Sequence, residues 1–131
     1  MSRKTQIIIT LVTVLAASVL IFSQLPTQGY STDLSEIGQG EPAVVLGFQN
    51  HSPQGIAAMD QLNKVRNSYD GTRFLVADLL TDEGEALAQT YDARDGHMAI
   101  FDGDGVHISS HPVPDNETDL RELIDRAFGD R

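Results

Sequence analysis

The side chains of this 131-residue chain that could do chemistry are few: four histidines, at positions 51, 97, 107 and 111, and a serine beside the first in His51-Ser52-Pro53-Gln54-Gly55. Imidazole is the commonest ligand for zinc and copper and titrates near neutrality, so two histidines brought together by the fold would make a metal or proton-transfer centre. Cysteine is absent. That excludes a disulfide framework, a Cys-ligated zinc or iron–sulfur site, a catalytic thiol and a dithiol redox centre. Other motifs fall short. Asp102-Gly103-Asp104-Gly105 opens like a calcium loop, but its twelfth position is Val113, which has no carboxylate, so it reads as a hairpin turn. Asn116-Glu117-Thr118 matches the glycosylation sequon and also supplies capping residues for a following helix. Asp82-Glu83 stand where a helix N-terminus favours negative charge. No Gly-rich phosphate loop, nucleophile elbow or HExxH motif occurs.

With 9 Lys+Arg against 19 Asp+Glu the net charge is −10, which argues against nucleic acid as a partner, since binding its phosphates needs a basic stripe. The charge is uneven. No charged residue lies between Lys4 and Asp33, and the chain from residue 23 onward carries a net −12. Within the uncharged stretch, Ile7 to Phe22 has 13 apolar residues of 16. Extended from Gln6 to Leu25 it would span about 30 Å as a helix, enough to cross a bilayer core. Arg3 and Lys4 precede it, and the positive-inside rule then puts the acidic remainder outside. Two fates are open for this segment. A cleavable signal needs small residues just after the apolar run, whereas Ala16, Ala17 and Ser18 fall within it. Cleavage after Gly29 is the alternative to the favoured uncleaved anchor. The expected division is therefore a membrane anchor or signal segment over 1–25, a linker over 26–42, and a folded domain over 43–131 on the periplasmic or extracellular side.

The folded part alternates in period. Ala43 to Phe48 is a continuous apolar run, as in a strand buried on both faces. Ile56, Met59, Leu62, Val65 and Tyr69 are spaced three to four apart, giving a helix that stops at Asp70-Gly71. Phe74 to Leu79 is a second buried strand. Thr81 caps a second helix carrying Leu87 and Tyr91, and His97 to Phe101 is a third strand. After the turn at 102–105, Val106 to Ser110 alternates as a fourth. Leu120, Leu123, Ile124, Ala127 and Phe128 make one face of a last helix. The order is β-α-β-α-β-β-α. A right-handed crossover makes the first two strands parallel, and the hairpin adds an antiparallel pair. The fold class is α/β, a mixed four-stranded sheet with helices on both faces, after an N-terminal transmembrane helix.

Order and spacing together resemble the thioredoxin-like superfamily over nearly all of residues 43 to 130. Val45 to Phe48 resembles the strand leading to the thioredoxin active site, and Tyr69-Asp70-Gly71 the end of the helix after it. Tyr91-Asp92-Ala93-Arg94 and Phe101-Asp102-Gly103-Asp104-Gly105 resemble the family's Tyr-Gly-(Ile/Val)-Arg and Phe-Lys-Asn-Gly segments. The chemistry departs from the family. Ser52-Pro53-Gln54-Gly55 falls over the Cys-Gly-Pro-Cys motif, with Pro53 and Ile56 replacing the cysteines if the register slips by one. Neither register supplies sulfur, and serine cannot replace a thiolate in disulfide exchange. The family's buried acid would fall at Leu46 or Gly47, and its cis-proline at His97, where a trans peptide is expected.

The resemblance implies that His51 and His97 come from two facing segments, with Ser52 beside them. They are expected to be either a two-histidine metal site, for which no third ligand is evident, or polar residues on the rim of a binding groove. His107 and His111 share parity with Ser109 and are expected to face solvent. The favoured reading is a membrane-tethered, redox-inactive protein-binding or adaptor domain with no catalytic residue and no cofactor. Its groove comprises His51, Ser52, Pro53, Gln54, Gly55 and His97, and its partners are the membrane, through the N-terminal helix, and a protein or peptide. A metal-binding protein using His51 and His97 is the alternative.

Overall fold

Every residue of strand β1 (Ala43–Phe48) is buried, as a run with no polar position requires, and the sheet is built outward from it. The computed structural model describes residues 30–129. Strand β1 pairs in parallel with β2 (Arg73–Asp78), Val44 opposite Phe74. On its other side it pairs antiparallel with β3 (His97–Phe101), Leu46 opposite Met98. Strand β3 pairs antiparallel with β4 (His107–Pro112), so the order is β2-β1-β3-β4. Alternate side chains of β1 feed two cores. Val44, Leu46 and Phe48 meet Met59 and Leu62 of helix α1 (Pro53–Val65) and Leu120 and Ile124 of helix α3 (Glu117–Gly129). Ala43 and Val45 meet Leu75, Ala99 and Phe101 on the opposite face, where Leu87 and Tyr91 of helix α2 (Asp82–Tyr91) cover them.

Each helix begins where a short polar side chain accepts a hydrogen bond from the first turn. Ser52 accepts from the Gly55 N–H at 3.2 Å, Thr81 from Gly84 at 3.1 Å and Asn116 from Asp119 at 2.8 Å. The sequon asparagine is thus a helix cap. Helix α1 runs on into a 3₁₀ turn at Arg66–Ser68, and the chain then turns through Gly71, whose φ is +80°.

Two expectations are corrected. The linker placed over 26–42 is, from Tyr30 onward, part of the folded domain. Tyr30 is only 4% exposed; its hydroxyl donates to Asn63 Oδ1 at 2.7 Å, and the Arg66 guanidinium lies 4.4 Å from its ring centre. Ser31 forms a parallel bridge to Leu75 on the free edge of β2, where the Val76 N–H donates to the Ser31 carbonyl at 2.9 Å. A 3₁₀ turn forms at Leu34–Glu36, and Leu34 and Ile37 pack on the second core. Three apolar side chains in thirteen residues show no periodicity, yet each finds a pocket. The second correction concerns β4, which starts at His107 and carries a bulge. Phe101 faces His107 while Ile100 faces Ser109, so the extra residue breaks the alternation and sends His107 and His111 to opposite faces. His107 is half-buried rather than turned wholly to solvent. Its ring packs 5.0 Å from Tyr91 and 5.5 Å from Phe101, and its Nε2 lies 2.7 Å from the Ser110 hydroxyl.

The anchor or signal segment expected over 1–25 lies outside the described residues. Among the described residues no helix is long and apolar enough to cross a membrane.

Burial, opposed by the Arg66 charge, pushes the Tyr30 phenol up to about 12. An unfolded tyrosine loses its proton near pH 10, so the folded state holds the extra proton between about pH 10 and 12 and stability falls as pH rises through that window. Tyr69 is raised to about 12 by burial and by its hydrogen bond to Asp125. Chemical denaturation across pH 8–12 should therefore show a steeper alkaline loss for the native chain than for Tyr30→Phe, with Tyr69 maintaining the rest. Tyr30→Ala should cost about 3 kcal/mol at pH 7, as for a large buried aromatic; a loss near zero would return this segment to the status of a tether.

Candidate functional site

The carboxyl end of β1 and the start of β3 meet at one end of the sheet, and the residues aligned with the family's active site stand there. Ser52 is the N-cap of α1 and Pro53 occupies its first turn, where a missing N–H costs nothing. The Ser52 hydroxyl donates to Asp95 Oδ2 across the gap between the two segments. The other carboxylate oxygen, Asp95 Oδ1, accepts from the Gln49 N–H at 3.0 Å. The backbone closes the same gap, with the Gly96 N–H donating to the Gly47 carbonyl at 3.0 Å. A half-buried carboxylate therefore clasps the loop before α1 to the turn before β3.

Asp95 was not singled out from the sequence. Its only signal is an acid next to a glycine ahead of the strand that faces the motif.

The clasp also crowds position 55, one of the two expected to align with the second thiol. A Cβ built on Gly55 would lie 2.7 Å from Asp95 Oδ1 and 2.9 Å from the Phe48 ring. Of the two positions for the family's buried acid, Leu46 is fully buried in the apolar core, and a Cβ at Gly47 would lie 2.0 Å from the Ala93 carbonyl oxygen. No cis peptide bond occurs among the described residues, so His97 follows a trans bond.

The two histidines differ in setting. His97 is half-buried, and its Nδ1 lies 3.3 Å from the Asp95 carbonyl oxygen. His51 is exposed with φ at +66°, a left-handed conformation uncommon outside glycine, in which asparagine, aspartate and histidine are the most frequent exceptions. A cleft of about 250 Å³ opens between α1 and the segment joining β4 to α3, lined by Gln54, Ala57, Gln61, His97, Pro114 and Asp115 among others. Of the expected groove residues, Gln54 and His97 line this cleft; Ser52 and Gly55 do not, though Ser52 bonds to Asp95, which does. His51 and Pro53 are outside its lining. Among the described residues no group of three or more His, Asp and Glu side chains is placed to hold a metal ion.

Serine nucleophiles need an adjacent base that a third group orients. Here the Ser52 proton is already directed at a carboxylate that also receives a backbone N–H, which describes a structural tie. With no cysteine in its sequence the chain cannot itself exchange disulfides.

Replacing the clasp and refilling its space should interact. Asp95→Ala should cost about 2 kcal/mol through two lost charge-assisted bonds, and Gly55→Ala about 1–3 kcal/mol through overpacking. The double variant should cost clearly less than the sum in urea denaturation, because removing the carboxylate makes room for the methyl group; strict additivity would disprove the steric account. His51→Gly should raise stability by about 1 kcal/mol by relieving the left-handed backbone.

No protein-family model matches the sequence, and no curated protein matches it either. Solved structures do. An uncharacterized thioredoxin-like protein from Clostridium perfringens superimposes with a TM-score of 0.63 at 17% identity, covering 75% of this chain and 79% of that one. Fasciola hepatica thioredoxin superimposes with a TM-score of 0.56 at 22% identity, covering 69% of this chain and 84% of that one. At these identities the likeness is one of fold: the described chain has a thioredoxin-like α/β fold built without cysteine.

Proposed function

We propose that this chain is a non-catalytic thioredoxin-like binding or adaptor domain, tethered by residues 1–25 to the outer face of a membrane, that holds a protein or peptide partner in the cleft beside the clasp. The observation that supports it best is the pairing of Ser52 with Asp95 where the fold's dithiol would stand, next to a cleft that stays open. A fixed hydrogen bond at that place can shape a groove but has no redox cycle. The size of the cleft, about 250 Å³, is below the 300–1,000 Å³ typical of sites for drug-sized ligands and cofactors, and suits a side chain of a larger partner. The backbone of Gly96 at its edge is used internally, its N–H by the Gly47 carbonyl and its carbonyl by the Val113 N–H. Recognition then falls to side chains, chiefly Gln54, Gln61 and His97. No observation favours the two-histidine metal reading.

A photo-reactive residue at Gln54 in the full-length chain, in its native membrane, should trap one defined partner that a probe at Glu122 on α3 does not. Equal labelling from both sites would overturn the groove assignment. Purified full-length protein should also show no turnover in a disulfide-reductase assay.

A further inference from the structure

We propose that the cleft between α1 and the segment joining β4 to α3 takes a lysine or arginine side chain presented by the partner. This rests on the groove reading above and gives that groove a chemical preference. The walls are Ala57, Ala58, Pro112, Val113 and Pro114, an apolar sleeve suited to a methylene stem. The exposed Asp115 carboxylate stands in the same lining, where it can meet the cation at the end of that stem. No Lys or Arg lines the cleft, so nothing in it competes for that place. The charge of the chain beyond residue 22, net −12, draws the same class of partner from a distance. The larger trough of about 460 Å³ between β4 and α3 has no such selection. It sets apolar Val106, Ile108 and Leu123 beside Arg126, whose guanidinium is already paired with Glu122 at 2.7 Å.

The test uses the full-length chain in detergent micelles and four capped pentapeptides, a central Lys, Arg, norleucine or Glu flanked by alanines, titrated under NMR observation at about 0.15 M salt to screen loose surface attraction. The Lys and Arg peptides should shift the Gln61 side-chain amide and the Ala57 and Gly96 backbone signals. They should bind about fivefold more tightly than the norleucine peptide, the range of one exposed ion pair. Asp115→Asn should abolish that ratio while leaving norleucine binding unchanged. Norleucine binding as tightly as lysine would overturn the cation preference and leave the groove a peptide site. Shifts scattered over the acidic surface, with none at the cleft for any peptide, would overturn both readings.

Discussion

The Asp95 carboxylate is the contact on which the functional end of this molecule depends. The loop leaving β1 and the turn entering β3 both come from the middle of the sheet, and two protein segments ending side by side leave unpaired N–H groups between them. One carboxylate serves two of their donors, the Gln49 N–H and the Ser52 hydroxyl, and a charged acceptor makes each bond stronger than a neutral one would. Its position near the start of α1 adds the favourable field of the helix N-terminus. The rest follows sterically. With the carboxylate seated there, a side chain at position 55 would crowd Asp95 and the Phe48 ring, and beside it the Gly47 carbonyl meets the Gly96 N–H.

What the sequence showed and what it hid divide along the same physical line. Strands and helices were legible because local periodicity encodes burial: Ala43 to Phe48 has no polar position, and Leu120, Ile124 and Ala127 recur on one side of α3. The parallel pair and the antiparallel hairpin followed from handedness and the turn; the pairing of β3 with β1, which fixes the strand order, is a long-range property with no local mark. The clasp was not legible, since its partners are 43 and 46 residues apart and neither carries a local mark of the pairing. Tyr30, Leu34 and Ile37 were hidden for the opposite reason. They are local, but isolated in a polar stretch, and only the free edge of β2 and the side of α1 turn them into core residues. The bulge in β4 was hidden because the sequence alternates through it. A one-residue insertion is a property of pairing with β3, and it changed the environment of His107 completely.

The histidine pair illustrates why residue type and proximity in the fold do not make a site. The resemblance brought His51 and His97 to neighbouring segments, and the structure keeps them on those segments. Yet His51 sits in a left-handed turn and is exposed, while the His97 ring leans on the Asp95 carbonyl. A metal centre needs its ligands aimed at a common point by further hydrogen bonds. Here the Asp95 carboxylate is engaged by the backbone and by serine, His97 lines the cleft, and His51 lies outside its lining.

The missing cysteines therefore have a structural counterpart. A dithiol site must alternate between bonded and free sulfurs, so its surroundings have to tolerate both arrangements. The Ser52–Asp95 bond has one arrangement, held by donors that do not change with redox conditions. A carboxylate oxygen lies where a side chain at position 55 would begin, so the same contact that ties the two segments also leaves no room for a second side chain beside it. A mouth held by hydrogen bonds of this kind would need little reorganisation on binding, which is what the proposed adaptor role draws on. In the groove proposed above, the lining residues, Gln54, Gln61 and His97 among them, rather than sulfur, would set what is held.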